Sequence, residues 1–236
     1  MANQTQRPDT ALHNTSHLMQ YHDLIESIVA AMDARDAYTA KHSDRVADMV
    51  LVLANALDLS EDETTLLHMA AHLHDIGKIA VPDSVLRKAG PLTNPEWEEM
   101  RRHPVTGYEI LRKVDDFKEI AVLVRHHHER WDGRGYPDGL RGADIPLGSR
   151  ILAVADSIDA MMSSRSYRPA MTSAACRREI ERNSGIMYDP CVAAAALEHW
   201  DELVSRYAEA DTPQTPYFNR MQLEHTRQAH DYLLTH

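Results

Sequence analysis

The chain has 236 residues, 43% of them hydrophobic, and a formal net charge of -11, a size and composition that suit one large globular domain or two small ones. The negative balance excludes a protein that coats nucleic-acid polymers, whose phosphates it repels at long range. No apolar stretch approaches ~18 residues and no basic, apolar and small-residue succession opens the chain, so neither a membrane span nor a secretory leader is expected, and a cytoplasmic location follows.

Residues 1–17 are polar and unpatterned and are read as a flexible lead-in. From about Leu18, Tyr21, Leu24, Ile25, Ile28 and Met32 form one apolar helical stripe. Val46, Met49, Val50, Leu53 and Leu57 form a second, with His42 one turn before Val46. Ser60 and Glu63 make a capping-box pattern ahead of a helix over about 61–74, and Thr93 and Glu96 make another. The latter predicts a helix with Pro95 in its first turn that runs to His103. Further helical patterns cover about 105–113, 116–130, 148–162, 173–183 and 190–208, and no segment alternates with period two. The expected fold class is therefore all-α, with the domain over 18–210 and a C-terminal helical tail over 211–236.

One irregular loop, Trp131 to Pro146, interrupts the helices, and a loop of that length inside a domain is usually functional. Cys176 and Cys191 lie outside any CxxC pair and read as reduced packing residues. The 15 histidines, by contrast, are concentrated at 68–74 and 126–128. Potential metal ligands at helix ends are His42, His74, Asp75, His103, His127, His128 and Asp156. Imidazole and carboxylate together suit divalent iron, manganese or zinc, and seven such groups exceed what one ion needs. A single histidine on an apolar face is more often an ordinary buried residue, so the residues alone leave both readings open.

The ordered set of HDIGK at 74–78, HHE at 127–129 and GYP at 135–137 resembles the HD-GYP family, a branch of the HD metal-dependent phosphohydrolases. DAYTAKHSDRV, VPDSVLRKAGPLT, HPVTG, RILAVADSIDAMMSSRSYR and MYDP extend the similarity over roughly residues 20–205. The resemblance implies an HD-domain helical bundle that binds two divalent ions, iron or manganese first and zinc as the alternative, and hydrolyses cyclic di-GMP. It carries the metal positions onto His42, His74, Asp75, His103, His127, His128 and Asp156, with Asp75 as the bridge. His74, Asp75 and Lys78 are the implied catalytic residues, and Lys78, Asp159, Arg165 and Arg168 the implied substrate contacts. For Asp159, one turn after Asp156, a supporting role behind a ligand is the other reading. Gly135, Tyr136 and Pro137 are expected to shape the site, and His126 to face away from it.

Two departures stand out. Ser166 stands where many members have proline. Some members carry Glu four residues before the first histidine ligand, supporting a third metal, whereas Tyr38 occupies that place here and Asp36 is off the helical face. A two-metal site is expected, giving mainly linear pGpG with slower GMP formation. The rival readings are a catalytically weak receptor for cyclic di-GMP, a protein-interaction module, and a hydrolase of another cyclic dinucleotide such as cyclic GMP-AMP. The 21–32 stripe and the tail leave room for a homodimer, and regulation for a signalling protein partner.

Overall fold

Capping chemistry sets the helix starts in this computed structural model, which describes residues 21–35, 41–164 and 169–208. Tyr38, Arg165, Ser166, Arg168, the lead-in and the C-terminal tail lie outside the described residues. The first helices are α1 (His22–Arg35), α2 (His42–Ala56) and α3 (Glu61–Leu73). Before α3, the Ser60 amide donates to Glu63 Oε2 at 2.9 Å and Ser60 Oγ accepts from the Glu63 amide at 3.3 Å, satisfying two amides that a helix N-terminus otherwise strands. A short α4 (Asp83–Leu86) precedes α5 (Asn94–Met100), where the Thr93 amide donates to Glu96 Oε2 at 2.7 Å.

Helix α5 stops three residues earlier than its pattern predicts. His103 instead opens α6 (His103–Leu111), with Pro104 in the first turn. Proline lacks an amide hydrogen and fits a first turn, where that hydrogen has no helical acceptor. The expected 116–130 helix is a 3-10 turn at Asp115–Phe117 followed by α7 (Lys118–His126), so His127 caps the helix and His128 lies beyond it. After the loop come α8 (Leu147–Met162) and α9 (Ser173–Arg182). The expected 190–208 helix breaks at His199 into α10 (Pro190–Glu198) and α11 (Trp200–Ala208). That break turns Trp200 into the core, where its indole N–H donates to Ser173 Oγ at 2.8 Å.

Helices α2, α3, α7 and α8 form the centre of the bundle, with α1 on α3, α6 on α7, and α9 to α11 against α8 and α2. Val46, Val50, Leu53, Leu67, Leu73, Ile120, Val124, Ile151 and Ile158 are at most 1% exposed, each contributing about 1.5–3 kcal/mol by leaving water. The α1 stripe packs on this same core through Ile25, Tyr21, Ile28 and Met32, while Leu24 points outward. The stripe thus covers its own domain. Among the described residues there is no β-strand, and no helix is long and apolar enough to cross a membrane.

One close approach positions the site. The 3-10 turn Ile76–Ala80 follows Asp75 and lies against α6. A Cβ on Gly77 would stand 1.9 Å from the His103 carbonyl oxygen and 2.6 Å from the Gly107 amide nitrogen. Only glycine allows these two backbones to touch.

Candidate metal centre

The bundle gathers all seven ligand candidates. His42 begins α2, His74 caps α3 with Asp75 next to it, and Asp156 projects from α8. His103 comes from the start of α6, and His127 and His128 from the end of α7. They fall into two groups, His42 with His74 and Asp156, and His103 with His127 and His128, each with one ligand atom per residue within 4.8 Å of the others. Asp75 stands between them. Its Oδ1 is 3.4 Å from His103 Nε2, whereas its Oδ2 is 3.6 Å from His74 Nε2 and 3.8 Å from His42 Nε2.

Hydrogen bonding behind the rings fixes which nitrogen each presents. The Nδ1 atoms of His74, His103 and His127 donate to the carbonyls of Ala71, Met100 and Val124 at 2.7, 2.8 and 2.6 Å. His42 Nδ1 donates to Asp159 Oδ2 at 2.6 Å. These partners can only accept, so Nδ1 carries the proton and Nε2 the lone pair. Yet His42 Nε2 lies 3.2 Å from His74 Nε2, and His103 Nε2 3.3 Å from His127 Nε2. Lone pairs that close repel unless a cation lies between them. The donor set therefore fits divalent ions bound through Nε2, with the backbone acceptors orienting each ring.

The electrostatics agree. Burial favours the neutral acid at Asp75, but Lys78, His74, His103 and His42 outweigh it and hold the carboxyl well below its usual range. Burial pushes His103 down to about 4 and His127 and His128 well below the ordinary histidine value, keeping those lone pairs available at neutral pH. Burial acts the same way on His42, but its hydrogen bond to Asp159 and the charges of Asp156, Asp159 and Asp75 prevail and raise it. That side of the centre calls for positive charge.

Asp159, expected as a substrate contact or as a support behind a ligand, lies behind His42. It is 1% exposed, and its oxygens are taken by His42, by Arg45 Nε at 2.5 Å, by Ser163 Oγ at 3.3 Å and by the Tyr207 hydroxyl. A carboxylate surrounded by four internal donors is placed to orient His42. Lys78 donates to Asp75 Oδ2 at 2.5 Å and lines a second, mostly apolar cavity of about 350 Å³ beneath α1. His126 belongs to neither ligand group; its Nε2 lies 3.0 Å from Asp138. Arg165 and Arg168 lie outside the described residues.

A cleft of about 530 Å³ opens beside His127 and His128. Glu129 anchors its loop wall, accepting from the Asp138 and Gly139 amides at 2.7 and 3.0 Å. Tyr136 stacks on His128 with ring centroids 4.9 Å apart, and the Arg101 guanidinium lies 4.7 Å from the Tyr136 centroid. Burial, with the Asp156 and Asp75 charges, raises the Tyr136 pKa, so its hydroxyl keeps its proton. The cleft is also lined by α5 with the residue beyond its end, presenting Asn94, Trp97, Glu98 and Arg101. Trp97 is 49% exposed. Sequence reasoning missed both Trp97 and Arg101, although a tryptophan and an arginine four apart on the polar side of a capped helix were the available signal.

A bundle that is all-helical in its described residues and carries two histidine-rich groups able to hold metal ions, with one aspartate between them, defines a class of protein. The chain belongs to the HD-domain family, whose model matches residues 23–192. It is 40% identical over 188 residues to the 3'3'-cGAMP-specific phosphodiesterase 2 of Vibrio cholerae, covering 78% of this chain and 35% of that protein. It is 44% identical over 175 residues to the cyclic di-GMP phosphodiesterase response regulator RpfG of Xanthomonas campestris, covering 73% of this chain and 46% of the relative. The chain thus spans between about a third and a half of these curated relatives. A crystal structure of a cyclic GMP-AMP specific phosphodiesterase from Vibrio cholerae superposes with a TM-score of 0.61 at 21% identity, over 78% of this chain and 50% of that one. At that identity the likeness speaks for the fold.

Proposed function

We propose that this chain is a phosphodiesterase that hydrolyses cyclic di-GMP at a two-ion centre, giving mainly linear pGpG with slower formation of GMP. The observation that carries the reading is Asp75, whose two oxygens face different ligand groups. His42, His74 and Asp156 would hold one ion, and His103, His127 and His128 the other. Two divalent ions there, iron or manganese with zinc as the alternative, supply Lewis acidity to a phosphoryl group and acidify water. The protein's own contribution is to aim seven ligands through backbone and carboxylate partners and to keep Asp75 ionised in a buried setting. Lys78 holds a proton at Nζ next to Asp75, available to the leaving oxygen.

The cleft supports a cyclic dinucleotide. Such a ligand carries two phosphodiesters, of which one sits at the ions, so the second needs a cation elsewhere. Arg101, whose acidic neighbour Glu98 is 3.7 Å away, lines the cleft and is our candidate. Trp97 offers a stacking surface for a base. The similarity to relatives named for cyclic di-GMP and for cGAMP supports this substrate class and keeps cyclic GMP-AMP as the second reading.

The test is direct. Anaerobically purified protein is analysed for iron, manganese and zinc, then incubated with cyclic di-GMP, cyclic GMP-AMP and cyclic di-AMP, and the products are separated. Cyclic di-GMP should give pGpG ahead of GMP, and His74→Ala or Asp75→Ala should abolish turnover while the helical circular-dichroism signal persists. Fully loaded protein that turns over none of the three refutes the reading.

A further inference from the structure

Beyond the ligands themselves, we infer that Tyr207 of α11, together with Arg45 of α2, is a positioning residue for the ion held by His42, acting through Asp159. The inference rests on the two-ion reading. Of the residues involved, Tyr207 lies beyond residue 192, where the match to the family model ends.

The contact is built from three helices. Asp159 of α8 presents Oδ2 to His42 Nδ1 at 2.6 Å, and its plane is held from the other side. Arg45 donates Nε to Oδ1 at 2.5 Å and Nη2 to Oδ2 at 3.2 Å, a forked grip that leaves the carboxylate one orientation. The Tyr207 hydroxyl is the remaining donor to Oδ1, and the Arg45 guanidinium lies 5.7 Å from the Tyr207 ring centroid. Burial, reinforced by the Asp159 charge, raises the Tyr207 pKa, so the hydroxyl keeps the proton it donates.

The ring of His42 takes its orientation from Oδ2, and its Nε2 therefore points where Asp159 lets it: 3.2 Å from His74 Nε2 and 3.5 Å from Asp156 Oδ1. Among the described residues, no comparable long-range side chain stands behind His74, His103 or His127, whose Nδ1 atoms rest on carbonyls three residues earlier in their own chain segments. His42 thus differs in kind from these three: they are aimed locally, whereas His42 depends on Asp159 and on the Arg45 and Tyr207 donors that hold it.

Stepwise Mn²⁺ titration of chelator-stripped full chain, with free ion followed by electron paramagnetic resonance, tests this without reference to turnover. His42→Ala identifies which binding step belongs to the His42 group. Tyr207→Phe, which keeps the ring under Arg45, should weaken that step about fivefold, below the roughly 10–100-fold typical of a direct outer partner, and leave the other step unchanged. Arg45→Lys, which keeps the charge but loses the fork, should show the same selectivity. Leu203→Ala, a packing change on the same helix at a side chain 2% exposed, should lower the melting temperature yet leave both steps intact. Unchanged binding in Tyr207→Phe and Arg45→Lys, equal weakening of both steps, or the same selective loss in Leu203→Ala overturns the inference. Wild-type protein that takes up no Mn²⁺ overturns the two-ion reading and the inference with it.

Discussion

Replacing Asp159 by Asn separates a residue that orients a ligand from one that touches a nucleotide. The amide matches the carboxylate in size but carries no charge, and its NH2 group must face one of the donors His42, Arg45 or Tyr207. Breaking a buried ion pair by removing one partner costs about 3–5 kcal/mol. Arg45, 23% exposed, recovers part of its hydration, so a loss of roughly 3 kcal/mol is expected from the low end of that range. Urea denaturation in chelator at pH 7 measures it. Burial works against ionisation of Asp159, but His42 and Arg45 hold its carboxyl well below the ordinary 3.8. The contribution is therefore present above that value and disappears as pH falls below it, so wild-type and variant stabilities converge only in acid. The His42 group should also lose roughly 10–100-fold in ion affinity. Unchanged stability and ion binding with a raised KM for cyclic di-GMP would refute this account and return Asp159 to the substrate.

Trp97→Ala should raise KM for cyclic di-GMP about tenfold with kcat little changed, as expected for a base stack worth ~1–3 kcal/mol; steady-state kinetics showing an unaltered KM would remove the indole from the cleft's binding surface. Gly135→Ala would place a Cβ 2.4 Å from the Arg130 amide nitrogen and 2.5 Å from Glu129 Cα. Neither atom can move away without displacing the loop, so activity should fall at least about tenfold, in line with the cost of misplacing groups around a reacting centre, while ion content by elemental analysis stays constant. In chelator, stability followed by thermal melts should fall as pH drops from 6.5 toward about 4. Across that window the unfolded chain takes up protons that buried His103, and likewise His127 and His128, resists, about 1.4 kcal/mol per pH unit for each fully titrating group. His42, raised above 6.5, contributes oppositely and loses its stabilisation as pH rises, so a flat or inverted profile would mean that it outweighs the other three.

Local chemistry was the legible part of this chain. The Ser60 and Glu63 box and the Thr93 and Glu96 box start their helices where side-chain and backbone partners three residues apart require, and motif order picked out the seven ligand candidates that the bundle brings together. Helix ends were less legible. His103 reads equally well as the end of one periodic stretch or the start of the next, and Pro104 in the first turn together with packing against Gly77 makes it the latter. Residue spacing put Asp159 on nearly the face of Asp156 but could not say that His42, 117 positions away, would meet it. Arg45 and Tyr207 were invisible for the same reason, because their roles come from three helices converging and not from any local pattern. The fracture at His199 follows from Trp200 finding Ser173 in the core, another distant partner.

The contact of Gly77 with the α6 backbone works as a fixed gauge for the whole centre. Asp75 stands two residues before that glycine, and the His103 carbonyl is the very atom its missing side chain would strike. Two halves of the bundle, one carrying His42, His74 and Asp156 and the other His103, His127 and His128, are thus spaced by main chain against main chain. Such a stop cannot be shortened, and every substitution at position 77 can only widen it. The spacing offered to any ion is then a length that the side chains do not set, and changing it would mean altering the backbone contact and not the histidines.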